Sequence, residues 1–183
     1  MTRDQEKYEN KLRHLGYQRL GSGLYSNVFA KPHSDKAVKV GSIDSWPDYA
    51  KWLIEKGYSG TFGPKIYSLK FYEDFYVASM ERLVDTVGGM QADYDHISNP
   101  PNDLWQMFRA LRKWLGSYSP DELPQNPDFQ AFMRELDEEG LAGDLHAGNV
   151  MIRKDGSLVV TDPSARHSHS RFRIKNGTVS YLE

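Results

Sequence analysis

The spacing of apolar residues changes several times along the chain, and each change predicts a new element. In the first stretch Tyr8, Leu12 and Leu15 recur at i, i+4 and i+7, which places them on one face of a helix. We therefore predict a helix from Thr2 to Leu15 that turns these three side chains toward the core and its charged residues toward solvent. Gly16 is expected to end it.

Short runs rich in β-branched and aromatic residues follow, and they predict an antiparallel sheet in the first half of the chain. Two such runs lie within Tyr17–Ala30, on either side of Gly21-Ser22-Gly23, where we expect the turn. Another run is Lys36–Val40. The last two, Lys65–Phe71 and Phe75–Met80, are expected to form a second hairpin.

Helical spacing returns between and after these strands. It predicts helices at Ser45–Lys56 and Asn102–Leu115, and a third helix capped by Asn126 with Pro127 in its first turn. The pattern as a whole indicates an α+β fold in one domain, with a small antiparallel sheet in residues 1–82 and a mostly helical part in residues 83–183.

One stretch of the second half combines polar residues at spacings that suit phosphoryl transfer. Asn149 and Asp162 flank two short apolar runs joined by Lys154-Asp155-Gly156, which is a hairpin pattern. A hairpin of this length brings the two side chains near each other, and an amide and a carboxylate oxygen suit Mg²⁺. Asp144, in the loop just before, is then left to orient an attacking hydroxyl. The same residue types also suit plain turns, but their joint spacing favours the functional interpretation.

A nucleotide kinase also needs a phosphate-covering loop and a lysine upstream, and the first half offers both. Gly21, Ser22, Gly23 and Val28 fit the pattern G-x-G-x-x-S-x-V, with a serine at the third glycine position. Glycines allow backbone N–H groups to approach phosphate oxygens. Lys39, in the next strand, matches the strand lysine that contacts the α- and β-phosphates.

Two further assignments concern the surroundings of that lysine. Either Asp48 or Glu55, on the helix that follows, could serve as its acidic partner, and the sequence does not decide between them. The segment after the fifth strand is the expected connection to the second half. There, backbone groups near Glu81 and Leu83 would bind adenine, and Met80 would line the pocket.

Composition narrows the classes of function. A chain of 183 residues with 39% hydrophobic and 26% charged residues suits one globular domain. The net charge of −2 makes nucleic acid an unfavourable partner. The absence of cysteine excludes disulfides and a thiolate zinc site and fits a cytoplasmic location. No apolar run approaches the roughly 18 residues that a membrane span requires, so no membrane partner is expected.

Several motifs together resemble the protein-kinase-like fold, and within it the early serine/threonine kinases of short-tailed lytic phages. They are LGSGLYSNVF, AVKVG, PKIY, FYVASMERL, GDLHAGNVM and VTDP, which lie between residues 16 and 165. The resemblance implies an N-lobe at residues 1–82, a reduced C-lobe at residues 83–183, and the use of ATP and Mg²⁺. The pattern RFRIK-NG-TVSYL separately predicts a hairpin at the end of the C-lobe, because Asn176-Gly177 suits a type I′ turn. The resemblance also implies that Asp144 is the catalytic base or hydroxyl orienter, that Asn149 and Asp162 hold Mg²⁺, and that Lys39 grips phosphates.

The chain departs from the usual kinase pattern in ways that leave three functions open. Ala142 stands where kinases usually carry a histidine, Pro163-Ser164 replaces Phe-Gly, and the long activation segment is missing. The first possibility is a serine/threonine protein kinase that acts on host proteins, or on itself, in the host cytoplasm. The second is a pseudokinase that binds and inhibits a host partner. The third is a small-molecule phosphotransferase, because GDLHAGN also resembles the aminoglycoside kinases.

Overall fold

The computed structural model describes residues 2–83, 126–142, 149–153, 155 and 157–163, together with the backbone of residues 172–175 and 178–181. Within these ranges the helices are α1 (Arg3–His14), α2 (Trp46–Glu55) and α3 (Pro127–Glu138). The strands are β1 (Gln18–Ser22), β2 (Ser26–Ala30), β3 (Lys36–Ser42), β4 (Ile66–Phe71), β5 (Phe75–Glu81), β6 (Val150–Ile152), β7 (Leu158–Val160), β8 (Phe172–Lys175) and β9 (Thr178–Tyr181).

The first half folds as an antiparallel sheet of five strands in the order β1-β2-β3-β5-β4. Each strand lies in one of the predicted β-prone runs, and its ends differ from the prediction by a few residues at most. The α+β class is therefore confirmed. Strand β3 is central, and six of its seven residues are buried or half-buried.

Helix α1 covers one face of this sheet. Thr2 caps it by accepting a hydrogen bond from the N–H group of Gln5, and Leu12 packs into a cluster with Phe29, Val40, Phe75 and Val77. The predicted interior face of α1 is wrong at one position, because Leu15 is 55% exposed. Leu15 follows the last helical residue, and the chain turns away at Gly16, whose φ of 84° is left-handed.

The prediction that the charged residues of α1 lie in solvent is also wrong in part. Glu9 is only 1% exposed. The uncharged Gln5, one turn earlier on the same helix, is only 2% exposed. Both remain buried because they find polar partners, which satisfies their hydrogen-bonding groups away from water.

The helix predicted at residues 45–56 is confirmed as α2. Its first residue packs on the face of the sheet opposite to α1. There the indole ring of Trp46 stacks on the ring of Tyr76, with ring centroids 5.3 Å apart and an angle of 8° between the planes. The side chain of Asp44, just before the helix, accepts a hydrogen bond from the N–H group of Trp46 at 3.0 Å.

Helix α3 and the hairpin of β6 and β7 belong to a second compact unit. Asn126 caps α3 as predicted, since its side chain accepts from the N–H group of Phe129 at 2.9 Å. The first unit contains Met1–Ile54, Lys65–Arg82 and Arg166–Glu183, and the second contains Glu55–Pro64 and Leu83–Ala165. The helix predicted at Asn102–Leu115 lies outside the described residues.

The predicted hairpin near the end of the chain is present as the antiparallel pair β8 and β9, in the register Phe172↔Tyr181 to Lys175↔Thr178. No helix in the described part of the chain is long and apolar enough to cross a membrane.

Candidate functional site

The register of the five-stranded sheet aligns several of the predicted nucleotide-binding residues. Gly21 of β1 pairs with Val28 of β2, Val28 pairs with Lys39 of β3, and Lys39 pairs with Ala78 of β5. Directly opposite residues of antiparallel strands lie on the same face, with Cβ atoms about 5 Å apart. These four residues, called the lysine row below, therefore lie side by side across the sheet.

Met80 lies on the same face as the lysine row, one pleat further along β5. It pairs with Ala37, which pairs with Ala30. Side chains two residues apart on a strand point to the same side, so the small side chains of Ala30 and Ala37 lie beside Met80, which is itself buried. Among the predicted nucleotide-binding residues, this brings Gly21, Val28, Lys39 and Met80 together on one surface.

Lys39 is almost completely buried, with 5% of its surface exposed. Its Nζ atom lies 4.4 Å from the centroid of the Trp46 ring, a cation–π distance. Trp46 is in turn stacked on Tyr76. The start of α2 thus holds an aromatic plane against the lysine ammonium group. The sequence motifs do not include Trp46; the clue to it is an aromatic residue that opens the helix after the lysine strand.

The turn of the glycine-rich hairpin differs from the prediction. Gly21 and Ser22 belong to β1, and the turn lies at residues 23–25, where the N–H group of Gly23 donates to the carbonyl of Ser26 at 2.7 Å. An irregularity in the pairing between Arg19 and Gly21 shifts the register of β1 against β2. The phosphate-covering residues predicted at Gly21, Ser22 and Gly23 therefore lie along the end of a strand and at the start of the turn.

The end of β5 carries the backbone groups predicted to bind adenine. The N–H group of Glu81 donates to the carbonyl of Lys65 at 2.9 Å, and the Glu81 carboxylate accepts from the N–H group of Lys65 at 2.7 Å. The N–H group of Arg82 donates to the carbonyl of Asp35. These bonds fix the backbone that leads to Leu83.

The two candidate acidic partners of Lys39 lie at opposite ends of α2. Asp48 is half-buried in the first turn, the end of the helix at which Trp46 contacts Lys39. Glu55 is exposed at the last residue. Both remain candidates, and the acidic partner of Lys39 stays unassigned.

In the second unit, the hairpin of β6 and β7 places Asn149 and Asp162 at its open end. Val150 pairs with Val160, and one residue further on the carbonyl of Asn149 accepts from both the N–H group and the hydroxyl of Thr161, at 2.8 and 3.0 Å. Asp162 is the next residue along. The backbone hydrogen bonds of this hairpin thus place Asn149 and Asp162 at the same end of it.

The other side of this hairpin is anchored to residues 55–64. The guanidinium group of Arg153 donates to the carbonyls of Thr61 and Gly63 at 2.7 and 2.9 Å, and the N–H group of Val160 donates to the carbonyl of Phe62 at 2.8 Å. The Phe62 ring meets Phe129 of α3 edge to face, with centroids 5.3 Å apart. Anchored in this way, the hairpin is a rigid support for Asn149 and Asp162.

Comparison with known families shows which protein family the chain belongs to. The sequence model described as Bacteriophage T7 protein kinase 0.7 matches residues 4–176, which is nearly the whole chain. The chain belongs to the bacteriophage T7 protein kinase 0.7 family. No curated protein sequence matches it. The predicted resemblance to early phage kinases is confirmed, and the family name indicates a phage protein kinase.

Membership of the bacteriophage T7 protein kinase 0.7 family makes phosphoryl transfer the relevant chemistry. Catalysis of that reaction depends mainly on positioning and on stabilising negative charge. Lys39 is a cation of the required kind, while Asn149 and Asp162 offer hard oxygen atoms of the kind that Mg²⁺ binds. Within the described ranges no three His, Cys, Asp or Glu residues cluster as a metal site. A kinase magnesium site does not need such a cluster, because water and phosphate oxygens complete its coordination.

Asp144, the predicted catalytic residue of this T7 protein kinase 0.7 family member, lies outside the described residues, as do residues 143–148 as a whole. Its role stays a prediction from the sequence.

Proposed function

We propose that the protein is an ATP- and Mg²⁺-dependent serine/threonine protein kinase with a protein-kinase-like fold, acting on host proteins or on itself. The observation that carries this proposal is the lysine row, in which Gly21, Val28 and Lys39 are consecutive cross-strand partners. This row places the proposed phosphate-covering hairpin beside a buried lysine on one face of the sheet.

In the proposed site the first unit binds the nucleotide. The ammonium group of Lys39 contacts phosphate oxygens, and backbone N–H groups of Gly21, Ser22 and Gly23 cover the phosphates. Val28 and Met80 supply apolar surface for the base. Backbone groups of Glu81 and Leu83 hydrogen-bond to adenine.

Three residues of the second half of the sequence are proposed to serve the metal and the acceptor. Oxygen atoms of Asn149 and Asp162 would hold Mg²⁺, which would supply positive charge for phosphoryl transfer. The carboxylate of Asp144 orients the acceptor hydroxyl and accepts its proton.

Thermal unfolding tests the nucleotide and metal assignments. Mg²⁺-ATP at a hundred times its Kd should stabilise the protein by about 2.7 kcal/mol, because it binds only the folded state. Asp162→Ala should remove the metal-dependent part of the rise in Tm, and Lys39→Met should reduce the whole rise. Asp137→Ala, a change to an exposed carboxylate on α3, is the matched control. An unchanged Tm for the wild type in millimolar Mg²⁺-ATP would contradict the proposal.

Phosphate transfer distinguishes the proposed kinase from the two other functions. Asp144→Asn should keep Mg²⁺-ATP binding and lose most transfer, since its role is in orientation. Wild-type protein incubated with γ-labelled ATP should label itself or proteins of a host lysate. Labelling of aminoglycosides alone would indicate a small-molecule phosphotransferase. Nucleotide binding without any transfer would indicate a pseudokinase.

A further inference from the structure

A buried polar network links helix α1 to the glycine-rich hairpin. The carboxylate of Glu9 is 1% exposed and accepts a hydrogen bond from Nδ2 of Asn27 at 2.9 Å. Its other bonds are longer: Nε2 of Gln5 donates to the same oxygen at 3.4 Å, and Arg13 donates to the second oxygen at 3.4 Å. The short contact with Asn27 joins residues 18 positions apart.

The network also reaches the end of β3. The hydroxyl of Ser42 donates to Oε1 of Gln5 at 3.4 Å, and the N–H group of Ser42 donates to the carbonyl of Tyr25 at 2.9 Å. Tyr25 lies in the turn of the hairpin. Helix α1 is therefore connected to the hairpin directly, through Asn27, and indirectly, through Ser42.

Asn27 is the residue through which α1 can influence which side chains of the hairpin face a bound nucleotide. Its neighbours Ser26 and Val28 point to the opposite face of the sheet, and Val28 is part of the lysine row. A bond that fixes the Asn27 side chain on the α1 side therefore fixes the orientation of Ser26 and Val28 on the other side.

Stability alone does not account for a glutamate at this position. Burying a carboxylate costs free energy even when it is hydrogen-bonded, and replacing such a group together with its buried partners by apolar residues is often neutral or stabilising. A leucine at position 9 would extend the apolar face that Leu12 already provides. The cost of Glu9 indicates a role in fixing one arrangement of the hairpin.

We propose that Glu9 is a positioning residue for nucleotide binding, which holds Asn27 and thereby sets the glycine-rich hairpin over the phosphates. This inference rests on the proposed function, because it assigns a regulator to the same nucleotide site. Helix α1 is then part of the machinery that binds Mg²⁺-ATP.

An exchange of hydrogen-bonding partners tests the role of Glu9. Asn27→Asp places a second carboxylate against Glu9 and should raise the Kd of Mg²⁺-ATP about tenfold, within the range of coupling between contacting residues. The double variant Glu9→Gln/Asn27→Asp restores a donor and an acceptor in reversed order, so its Kd should return to within about threefold of the wild type. Lys7→Ala, which breaks an exposed pair with Asp4 on the same helix, is the control.

Glu9→Leu is a second test that serves even if Asn27→Asp does not fold. It should lower the Tm, because the side chains of Gln5 and Asn27 lose a buried acceptor. At a temperature at which both proteins are fully folded, it should also raise the Kd and KM of ATP with little change in kcat. Amide exchange at residues 23–28 should quicken in Glu9→Leu as it does in Asn27→Asp.

The outcomes distinguish this inference from the proposed function. If wild-type protein binds no Mg²⁺-ATP, the proposed function fails and the role of Glu9 in nucleotide binding fails with it. If the wild type binds Mg²⁺-ATP and Glu9→Leu binds it equally well, only the role of Glu9 is overturned.

Discussion

Gly41 shows how one missing side chain shapes the surroundings of Lys39. A Cβ atom built at Gly41 would lie 2.6 Å from Oη and 2.7 Å from Cζ of Tyr76. The Tyr76 ring can therefore lie across β3 only because position 41 has no side chain. Trp46 stacks on that ring, and Lys39 lies over Trp46. The glycine is thus a requirement for the aromatic plane beside the lysine.

Alanine substitutions at two glycines should separate packing from nucleotide contact. Gly41→Ala forces the fully buried Tyr76 to move and should lower the free energy of unfolding by about 1–3 kcal/mol, as measured by urea titration. Gly21→Ala meets no atom within 4 Å, so its effect on stability should stay within about 0.5 kcal/mol.

In Gly21→Ala the added methyl group should instead weaken Mg²⁺-ATP binding, because it obstructs the approach of phosphate to the backbone.

Equal stability of Gly41→Ala and the wild type would contradict the role given to Gly41.

At the residue scale, the sequence singles out Lys39 and the glycines as candidate nucleotide-binding residues, because the motifs that contain them are local. It predicts the wrong environment for Glu9, which is buried, and for Leu15, which is exposed. Hydrophobic periodicity counts apolar residues only, so it assigns every charged residue of α1 to solvent. The partner that allows Glu9 to be buried, Asn27, is on another element. Such a pairing depends on how α1 packs on the sheet, which no local pattern encodes.

The hairpin of β6 and β7 is the element that supports the candidate metal ligands, and its turn is stabilised by a carboxylate. Oδ1 of Asp155 accepts from the hydroxyl of Ser157 at 2.7 Å and from its N–H group at 2.9 Å. The hydrogen bond from the Ser157 hydroxyl, and then that from its backbone N–H group, hold the pKa of Asp155 below its usual value, because both favour the ionised form.

The contribution of Asp155 to stability should therefore depend on pH. A carboxylate whose pKa is lower in the folded state stabilises the fold above its unfolded pKa of about 4, and this contribution is lost as the pH falls through the folded value. Asp155→Ala should cost about 1 kcal/mol or less at pH 7, and the cost should shrink as the pH falls below the unfolded pKa of about 4. Urea unfolding of both proteins across this range measures it, with Asp137→Ala as the control. A cost that stays constant down to the lowest pH would show that the carboxylate charge is not involved.

At the scale of elements, the sequence predicts these strands and helices well because each has a clear period and clear ends. The turn of the glycine-rich hairpin is the exception. Glycines permit several turn positions and registers at similar free energy, so pairing with β2 and β3 decides that Gly21 faces Val28. The register, rather than the glycines themselves, locates the turn.

At the scale of the whole molecule, residues near both ends of the chain belong to one unit. Residues 166–183, with strands β8 and β9, are grouped with the five-stranded sheet and α1. An isolated two-stranded hairpin is marginal in water, so β8 and β9 need contacts outside themselves. The sequence pattern predicts the hairpin itself but contains no information about where it packs.

Ending the chain at Ser170 should lower the Tm by several degrees, a shift of the kind that about 1 kcal/mol produces in a domain of this size. Changing Arg171, Arg173 and Lys175 together to serine should leave the Tm unchanged and weaken phosphorylation of protein substrates, because these cations can steer an acidic partner. Differential scanning fluorimetry and the host-lysate assay measure the two effects. A truncated protein with the melting temperature and transfer rate of the full chain would show that the hairpin contributes to neither.

The pairing of β3 with β5 has a consequence for the order in which the chain folds. Every other pair in the sheet joins strands that are neighbours in sequence, whereas β3 and β5 enclose α2 and β4 between them. Closing that loop costs the most chain entropy, and contacts between distant residues slow folding. We expect β1–β2–β3 and β4–β5 to form early and to dock late. The surface that combines Lys39 with Met80 is then created by the last of these steps, so a newly synthesised chain would acquire the proposed nucleotide site only after the other strand pairs of this sheet have formed.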